Sequence, residues 1–212
     1  MSRIRVLLAE DHGTVRQGLK LLIDSQADMQ VVGEAANGRL AVEQARAIDP
    51  QVVVLDISMP EMNGLDATRA LRQASPATAI VALTRYSDNA YVQELISAGA
   101  LGYVLKQSTS GELLAAIRSA AEGRHYLDSA VTADRDRHRK HEPPRAPRVS
   151  EREKEVLRMM ALGHANKDIA ARLQISVKTV EVHKANAMRK LDLHGRIDIV
   201  RFALLQGWLQ EP

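Results

Sequence analysis

Val52-Val53-Val54-Leu55-Asp56 is a run of four apolar residues closed by a carboxylate. No polar residue alternates within it, so the strand it predicts is covered on both faces. Short apolar runs at 4–9, 31–35, 80–83 and 102–105 read as four more strands. Amphipathic helical patterns fill 14–25, 38–48, 65–74, 88–98 and 110–121 between them. Regular alternation of strand and helix predicts an α/β domain, a five-stranded parallel doubly wound sheet with helices on both sides.

Polar residues follow these strands at their C-terminal ends. Glu10 and Asp11 follow the first, Asp56 ends the third, Thr84 the fourth and Lys106 the fifth. In a parallel sheet all these ends share one edge, where open α/β sheets bind ligands near the topological switch point. Three carboxylates in one place repel each other and invite a hard cation. Mg²⁺ suits them, because it takes oxygen ligands and usually keeps several waters beside one or two carboxylates. Beside such an ion Asp56 can act as a nucleophile toward a phosphoryl group. Lys106 and Thr84 then supply donors to the phosphoryl oxygens.

Farther along the chain the composition changes. The stretch 132–148 holds almost no apolar residues and three of the seven prolines, Pro143, Pro144 and Pro147. Such a segment buries too little surface to offset its ordering entropy, and it is expected to be a solvated linker, 127–148, between domains at 1–126 and 149–212. A basic arm touching phosphate is the alternative, weakened by the mixed charge of the stretch.

The last 63 residues read as four short helices. Ser150 and Glu153 form a capping box, with Val156, Leu157 and Met160 on one stripe and Gly163 at the helix end. Asn166 caps the second helix, which turns Ile169, Ala170 and Leu173 inward. Ser176 caps the third, and Ile197, Val200 and Leu204 share a stripe on the fourth. Two short helices joined by a tight turn follow the helix-turn-helix plan. On the third helix Val177, Val180, Ala187 and Leu191 are expected to point inward. Lys178, Glu181, Val182, Ala185 and Arg189 point outward, while Lys167, Lys178, Lys184, Arg189 and Lys190 are placed to meet phosphates. Glu181 cannot hold a phosphate, but it could accept from a cytosine amino group.

Composition sets outer limits. The chain has 212 residues, 45% of them hydrophobic, and no cysteine. Disulfide frameworks, thiol catalysis and cysteine-bound zinc are thereby excluded. With four Tyr, one Trp and one Phe, the cores must be aliphatic. Residues 1–126 carry 12 Lys/Arg against 14 Asp/Glu, and residues 150–212 carry 11 against 8. The basic excess therefore sits where a polyanion would benefit from it. No apolar run reaches the ~18–20 residues of a membrane span, and Met1-Ser2-Arg3-Ile4-Arg5 opens without a signal-peptide pattern. A cytoplasmic protein with no membrane partner is expected.

The first half resembles the receiver domain of two-component response regulators. The resemblance rests on Glu10-Asp11, on Leu55-Asp56-Ile57-Ser58-Met59-Pro60-Glu61-Met62-Asn63-Gly64, on Thr84, and on Ala100-Leu101-Gly102-Tyr103-Val104-Leu105-Lys106. It implies a flavodoxin-like fold in which Asp56 takes phosphate from a sensor histidine kinase. It also implies that Asp11 ligates Mg²⁺ directly and Glu10 through water, with Asp56 and the Ser58 carbonyl completing the set. Thr84 and Tyr103 would form a switch pair. Gln107 stands where many receivers have a cis proline, and a trans bond is expected there. Tyr86, two residues beyond Thr84, is expected to slow loss of the phosphate.

The second half resembles the LuxR-type DNA-binding domain in Ser150-Glu151-Arg152-Glu153-Lys154-Glu155-Val156-Leu157, Asn166-Lys167-Asp168-Ile169-Ala170 and Ile175-Ser176-Val177-Lys178-Thr179-Val180-Glu181-Val182-His183. Together the two halves resemble the NarL/FixJ family. The resemblance implies a phosphorylation-dependent transcription regulator that binds double-stranded promoter DNA through Lys167, Lys178, Thr179, Glu181, Val182, Lys184, Ala185, Arg189 and Lys190. A homodimer would form on phosphorylation, with Val200 and Leu204 as its contact and RNA polymerase as a further partner. The alternative is a regulator that uses the receiver only to dimerise, independent of phosphate. An aspartyl-phosphate phosphatase fits poorly: such enzymes use a second acid two residues after the nucleophile, and here that residue is Ser58. A non-enzyme is expected.

Overall fold

The structure, a computed structural model, describes residues 3–85, 89–132, 149–191 and 193–209. The predicted slow-release residue Tyr86 and the linker stretch 133–148 lie outside the described residues. The chain forms two compact units. None of its described helices is long and apolar enough to cross a membrane.

The first unit runs β1 (Ile4–Ala9), α1 (Gly13–Asp24), β2 (Met29–Ala35), α2 (Gly38–Ile48), β3 (Val52–Asp56), α3 (Gly64–Ala74), β4 (Ala79–Thr84), α4 (Asn89–Ala98), β5 (Gly102–Leu105), α5 (Ser110–Ala121) and β6 (Tyr126–Leu127). The strands form one sheet in the order β2-β1-β3-β4-β5-β6, and every pairing is parallel. β3 and β4 are buried along their whole length, as expected for strands covered on both faces. Val6, Leu8, Val52, Val54, Val81 and Val104 fill one side of the sheet against Leu113, Ile117 and Ala120 of α5.

Sequence periodicity gave five strands, and the structure has six. A two-residue strand is too short to show a period. Tyr126 and Leu127 pair with Gly102 and Tyr103 all the same. The first residues of the expected linker 127–148 therefore belong to the receiver edge. Leu127 lies in β6, Asp128 is buried, and Val131 is buried behind it. The Asp128 carboxylate accepts from the Leu105 amide at 3.0 Å and the Ala130 amide at 2.9 Å. Glu112 of α5 accepts from the Tyr126 hydroxyl at 2.6 Å and the Ser129 hydroxyl at 2.7 Å. Burial, and then the Glu112 carboxylate, push the Tyr126 hydroxyl up to about 12. These bonds strap residues 126–130 to β5 and α5.

Two asparagines start helices at the ligand edge. Asn37 accepts from the Leu40 amide and caps α2, while Asn63 accepts from the Asp66 amide and caps α3. The start of α3 must sit close to the end of β3. A Cβ on Gly64 would lie 2.5 Å from the Ile57 Cα and 2.8 Å from the Asp56 carbonyl oxygen, so only glycine fits without moving backbone.

The second unit holds α6 (Glu151–Ala161), α7 (Asn166–Leu173), α8 (Val177–Leu191) and α9 (Arg196–Leu205). The capping box is present: Ser150 Oγ accepts from the Glu153 amide at 3.3 Å, and Glu153 Oε2 from the Ser150 amide at 2.7 Å. Gly163 ends the turn after α6 with φ +95°, and Ser176 Oγ accepts from the Thr179 amide to cap α8. Val156, Ile169, Ala170, Leu173 and Val180 make one apolar cluster. Leu157, Ala187, Leu193, Ile199 and Phe202 make another. Trp208 closes that end, with its ring edge-on to Phe202 at 5.6 Å.

Three expectations are corrected here. Asn166 is the first helical residue rather than the cap; Ala165 precedes α7, and its amide is held by Asp168 Oδ2 at 3.3 Å. Val177 is 37% exposed rather than inward, and it packs into neither apolar cluster of the unit. The third concerns Lys190, which was expected at a DNA phosphate. Instead it donates to both oxygens of Glu153, at 2.9 and 2.7 Å, and links the end of α8 to the start of α6.

Candidate functional site

Register explains why distant residues meet. Ala9 lies opposite Leu55, Asp56 opposite Leu83, and Thr84 opposite Leu105. Glu10, Asp56, Thr84 and Lys106 thus line up along the C-terminal edge. β1 sits between β2 and β3, so Glu10 and Asp56 flank the topological switch point, where such sheets bind ligands.

Glu10, Asp56 and Thr84 are buried. The Lys106 ammonium reaches both carboxylates, Glu10 Oε2 at 2.7 Å and Asp56 Oδ2 at 2.8 Å. Asp56 Oδ1 accepts from the Ser58 amide at 3.0 Å. Burial works against the charge on Lys106, but hydrogen bonds and attraction from Asp56 and Glu10 outweigh it, and its pKa is raised. The main chain closes the corner: the Lys106 amide donates to the Thr84 carbonyl at 2.6 Å. The Lys106–Gln107 bond is trans, as expected. Tyr103 is fully buried on β5, one strand from Thr84.

Sequence reading passed over His12, although it directly follows the acidic pair. Its Nδ1 lies 2.7 Å from Asp11 Oδ1 and 3.2 Å from Glu10 Oε1. Burial raises the Asp11 pKa, but the hydrogen bond and charge of His12 lower it further, for a net decrease. Ligand atoms of Glu10, Asp11, His12 and Asp56 all lie within 4.8 Å of one another. Three carboxylates face one ammonium and one imidazole, which leaves cations in deficit. An oxygen-rich pocket with that deficit fits a hard divalent ion. Ser58 is the second residue of the loop beyond β3, with its amide on Asp56.

In the second unit, Lys167, Lys178, Glu181, Val182, Ala185 and Arg189 are exposed, and Thr179 and Lys184 are half-buried. Thr179 Oγ1 shares a hydrogen bond with Ser176 Oγ at 2.8 Å. A tight turn at 174–176 joins α7 to α8, with Gln174 at φ +53°. α8 therefore presents one continuous outward face. On α9 the inward residues are Ile199, Phe202 and Ala203. Its other side leaves Ile197 69% and Leu204 45% exposed, with Val200 half-buried between them.

Comparison with known proteins agrees with both units. Residues 6–118 match the response regulator receiver domain family, and residues 148–203 match the bacterial regulatory proteins of the luxR family. The oxygen regulatory protein NreC of Staphylococcus haemolyticus is 37% identical over 210 residues, 95% of this chain and 97% of that protein. The uncharacterized transcriptional regulatory protein YxjL of Bacillus subtilis is 37% identical over 98% of both chains. RcsB from Salmonella enterica serovar Typhimurium, solved bound to a promoter with the phosphomimetic BeF3-, superposes with a TM-score of 0.83 at 25% identity, over 97% of this chain and all of that one. Receiver edge, helix-turn-helix unit and near full-length relatives lead to one conclusion: the chain belongs to the NarL/FixJ family of two-component response regulators, which act as transcription factors.

Proposed function

We propose that this chain accepts a phosphoryl group on Asp56 from a sensor histidine kinase and then regulates transcription as a promoter-bound dimer in the cytoplasm. The observation that carries this reading is the pairing of Lys106 with two buried carboxylates at the switch point of the sheet. An Asp56 oxygen attacks phosphorus, the phosphorus–nitrogen bond to the kinase imidazole breaks, and the histidine leaves with a proton. Lys106 is placed to exchange a carboxylate partner for a phosphoryl oxygen, and the Thr84 hydroxyl donates to another. Asp11, Asp56 and the Ser58 carbonyl would hold Mg²⁺, with Glu10 through water. The ion would neutralise phosphoryl charge. Reorientation of Thr84 and Tyr103 then biases a two-state receiver toward its dimerising form.

In this reading α8 enters the major groove, and Lys167, Lys178, Thr179, Lys184 and Arg189 position it on phosphates. The stripe of Ile197, Val200 and Leu204 is the dimer contact on DNA, since exposed apolar faces mark association sites. Contact with RNA polymerase would follow from promoter occupancy. The test incubates wild type and Asp56→Asn with acetyl phosphate and Mg²⁺, then reads intact mass, light scattering and promoter binding. Wild type alone should gain a phosphate, dimerise and bind more tightly. A dimer that binds DNA equally well in both proteins would favour the phosphate-independent alternative.

A further inference from the structure

The outward face of α8 is not uniformly basic. Lys178 and Arg189 stand at its ends, and Glu181, Val182 and Ala185 occupy its centre. The spacing 178, 181, 182, 185, 189 follows one helical face. Val180 and Ala187, on the opposite side, are fully buried in the helical unit. Val182 is 51% exposed, so its methyl groups are not used by the core. Among the described residues, no hydrogen bond or ion pair engages the Glu181 carboxylate. Lys178 and Lys184, each three residues away on the same helix, leave that carboxylate unpaired.

A free carboxylate at the centre of a groove-facing helix restricts what can lie opposite. Every phosphate repels it. Base edges in the major groove offer it only two donors, the amino groups of cytosine and adenine. Adenine places its N7 acceptor beside the amino group and repels one carboxylate oxygen. Cytosine presents only its C5–H on the corresponding side of its own edge, and its neighbouring acceptor is the O6 of the paired guanine. Val182 likewise has one complementary feature in the groove, the C5 methyl of thymine. Ala185 is short and lets the helix axis approach the base edges, while the terminal cations Lys178 and Arg189 reach the backbone.

We propose that Glu181 and Val182 set the operator preference of this regulator: Glu181 accepts from the amino group of a cytosine, and Val182 packs on the methyl of a neighbouring thymine, once in each half-site. The proposal rests on the reading that α8 is the DNA-contacting helix.

The experiment is binding-site selection from random duplexes by full-length protein activated with beryllofluoride and Mg²⁺. Wild type, Glu181→Gln and Val182→Ser are compared, and affinities on the selected duplex are followed against salt. Wild type should select cytosine beside thymine in both half-sites. Glu181→Gln should lose about tenfold on that duplex and shift its preference toward adenine, with an unchanged salt slope, because no phosphate contact is altered. Replacing the thymine by deoxyuridine should weaken wild type severalfold and leave Val182→Ser unaffected. Glu181 is only a solvated charge if Glu181→Gln binds all duplexes more tightly, with a steeper salt slope and the same base preference. That result, or a wild-type motif without cytosine, overturns the proposal and leaves DNA binding by α8 intact. If wild type selects no sequence at all, the DNA-binding reading fails and takes this inference with it.

Discussion

At the receiver edge the charged groups are already partnered, and the Glu10 and Asp56 carboxylates are buried. Lys106 holds Glu10 and Asp56, and His12 holds Asp11. Along α8 the charges face outward: Lys178 and Glu181 project from an exposed face, and Arg189, among the described residues, is held only by the Asn186 amide oxygen on the same helix. The difference fits what the proposed function asks of each region. Phosphoryl transfer needs donors and charges already positioned around the reacting carboxylate. Groove recognition needs side chains whose partners are supplied by the ligand. Charge in the first region is therefore tied to folding stability, and charge in the second to affinity alone.

Lys106→Ala puts the first half of that comparison at greatest risk. It leaves two buried carboxylates facing each other without a cation, and a broken buried pair costs about 3–5 kcal/mol. In urea, circular dichroism should show the receiver unfolding earlier, with Mg²⁺ restoring part of the loss. Trp208, the only tryptophan, lies in the helical unit, so its fluorescence transition should not move. An unshifted receiver transition would show that the edge is not a preformed frame.

A smaller effect is expected where the helical unit departs from the pattern and holds its own buried pair. Glu153→Ala removes the cap reciprocal of Ser150 and both hydrogen bonds from Lys190. The expected loss is about 2 kcal/mol, read from Trp208 fluorescence. Burial raises the Glu153 pKa, but the Lys190 hydrogen bond, and then those of Ser150, outweigh it and the net shift is downward. A depressed folded-state pKa gives stability that is present above the ordinary glutamate range and lost as pH falls through the shifted value. The Trp208 transition should therefore weaken on acidification in wild type and much less in Glu153→Gln.

Asp128→Ala tests whether the strap belongs to the receiver frame. It leaves the buried Leu105 amide without its acceptor and should cost about 1–2 kcal/mol in the receiver transition alone. Smallest of all in stability, Lys178→Ala and Arg189→Ala should stay within about 0.5 kcal/mol of wild type. Each should still lower the salt slope of DNA binding by about 1, with no change in base preference. A large stability loss from either would erase the contrast between the two regions.

Much of this was legible in the residues. β5 and α2 match the periodicity to the residue, and Ser150, Gly163 and Ser176 mark helix ends as expected. These features are local, set by the side-chain period and by hydrogen bonds that span three or four residues. The strand-end positions of Glu10, Asp56, Thr84 and Lys106 were equally readable, because a parallel sheet carries every strand end to one edge. The partners were not. Lys190 looked like one more cation on a basic helix, and only the crossing of α8 over α6 brings it to Glu153, 37 positions earlier. β6 has two residues and no period. It exists because the Asp128 carboxylate and the Glu112–Tyr126 bond hold it beside β5. On α9 the sequence offered several apolar residues, and packing chose Ile199, Phe202 and Ala203 for the core while leaving Ile197 and Leu204 outside. The sequence by itself thus determined the order of elements, the helix ends and the residues at the C-terminal edge of the sheet, since those depend on short-range periodicity and chain direction. The tertiary structure decided which charges neutralise one another and which apolar faces stay open, since Lys106 and Glu10 stand 96 residues apart and meet only when the sheet closes.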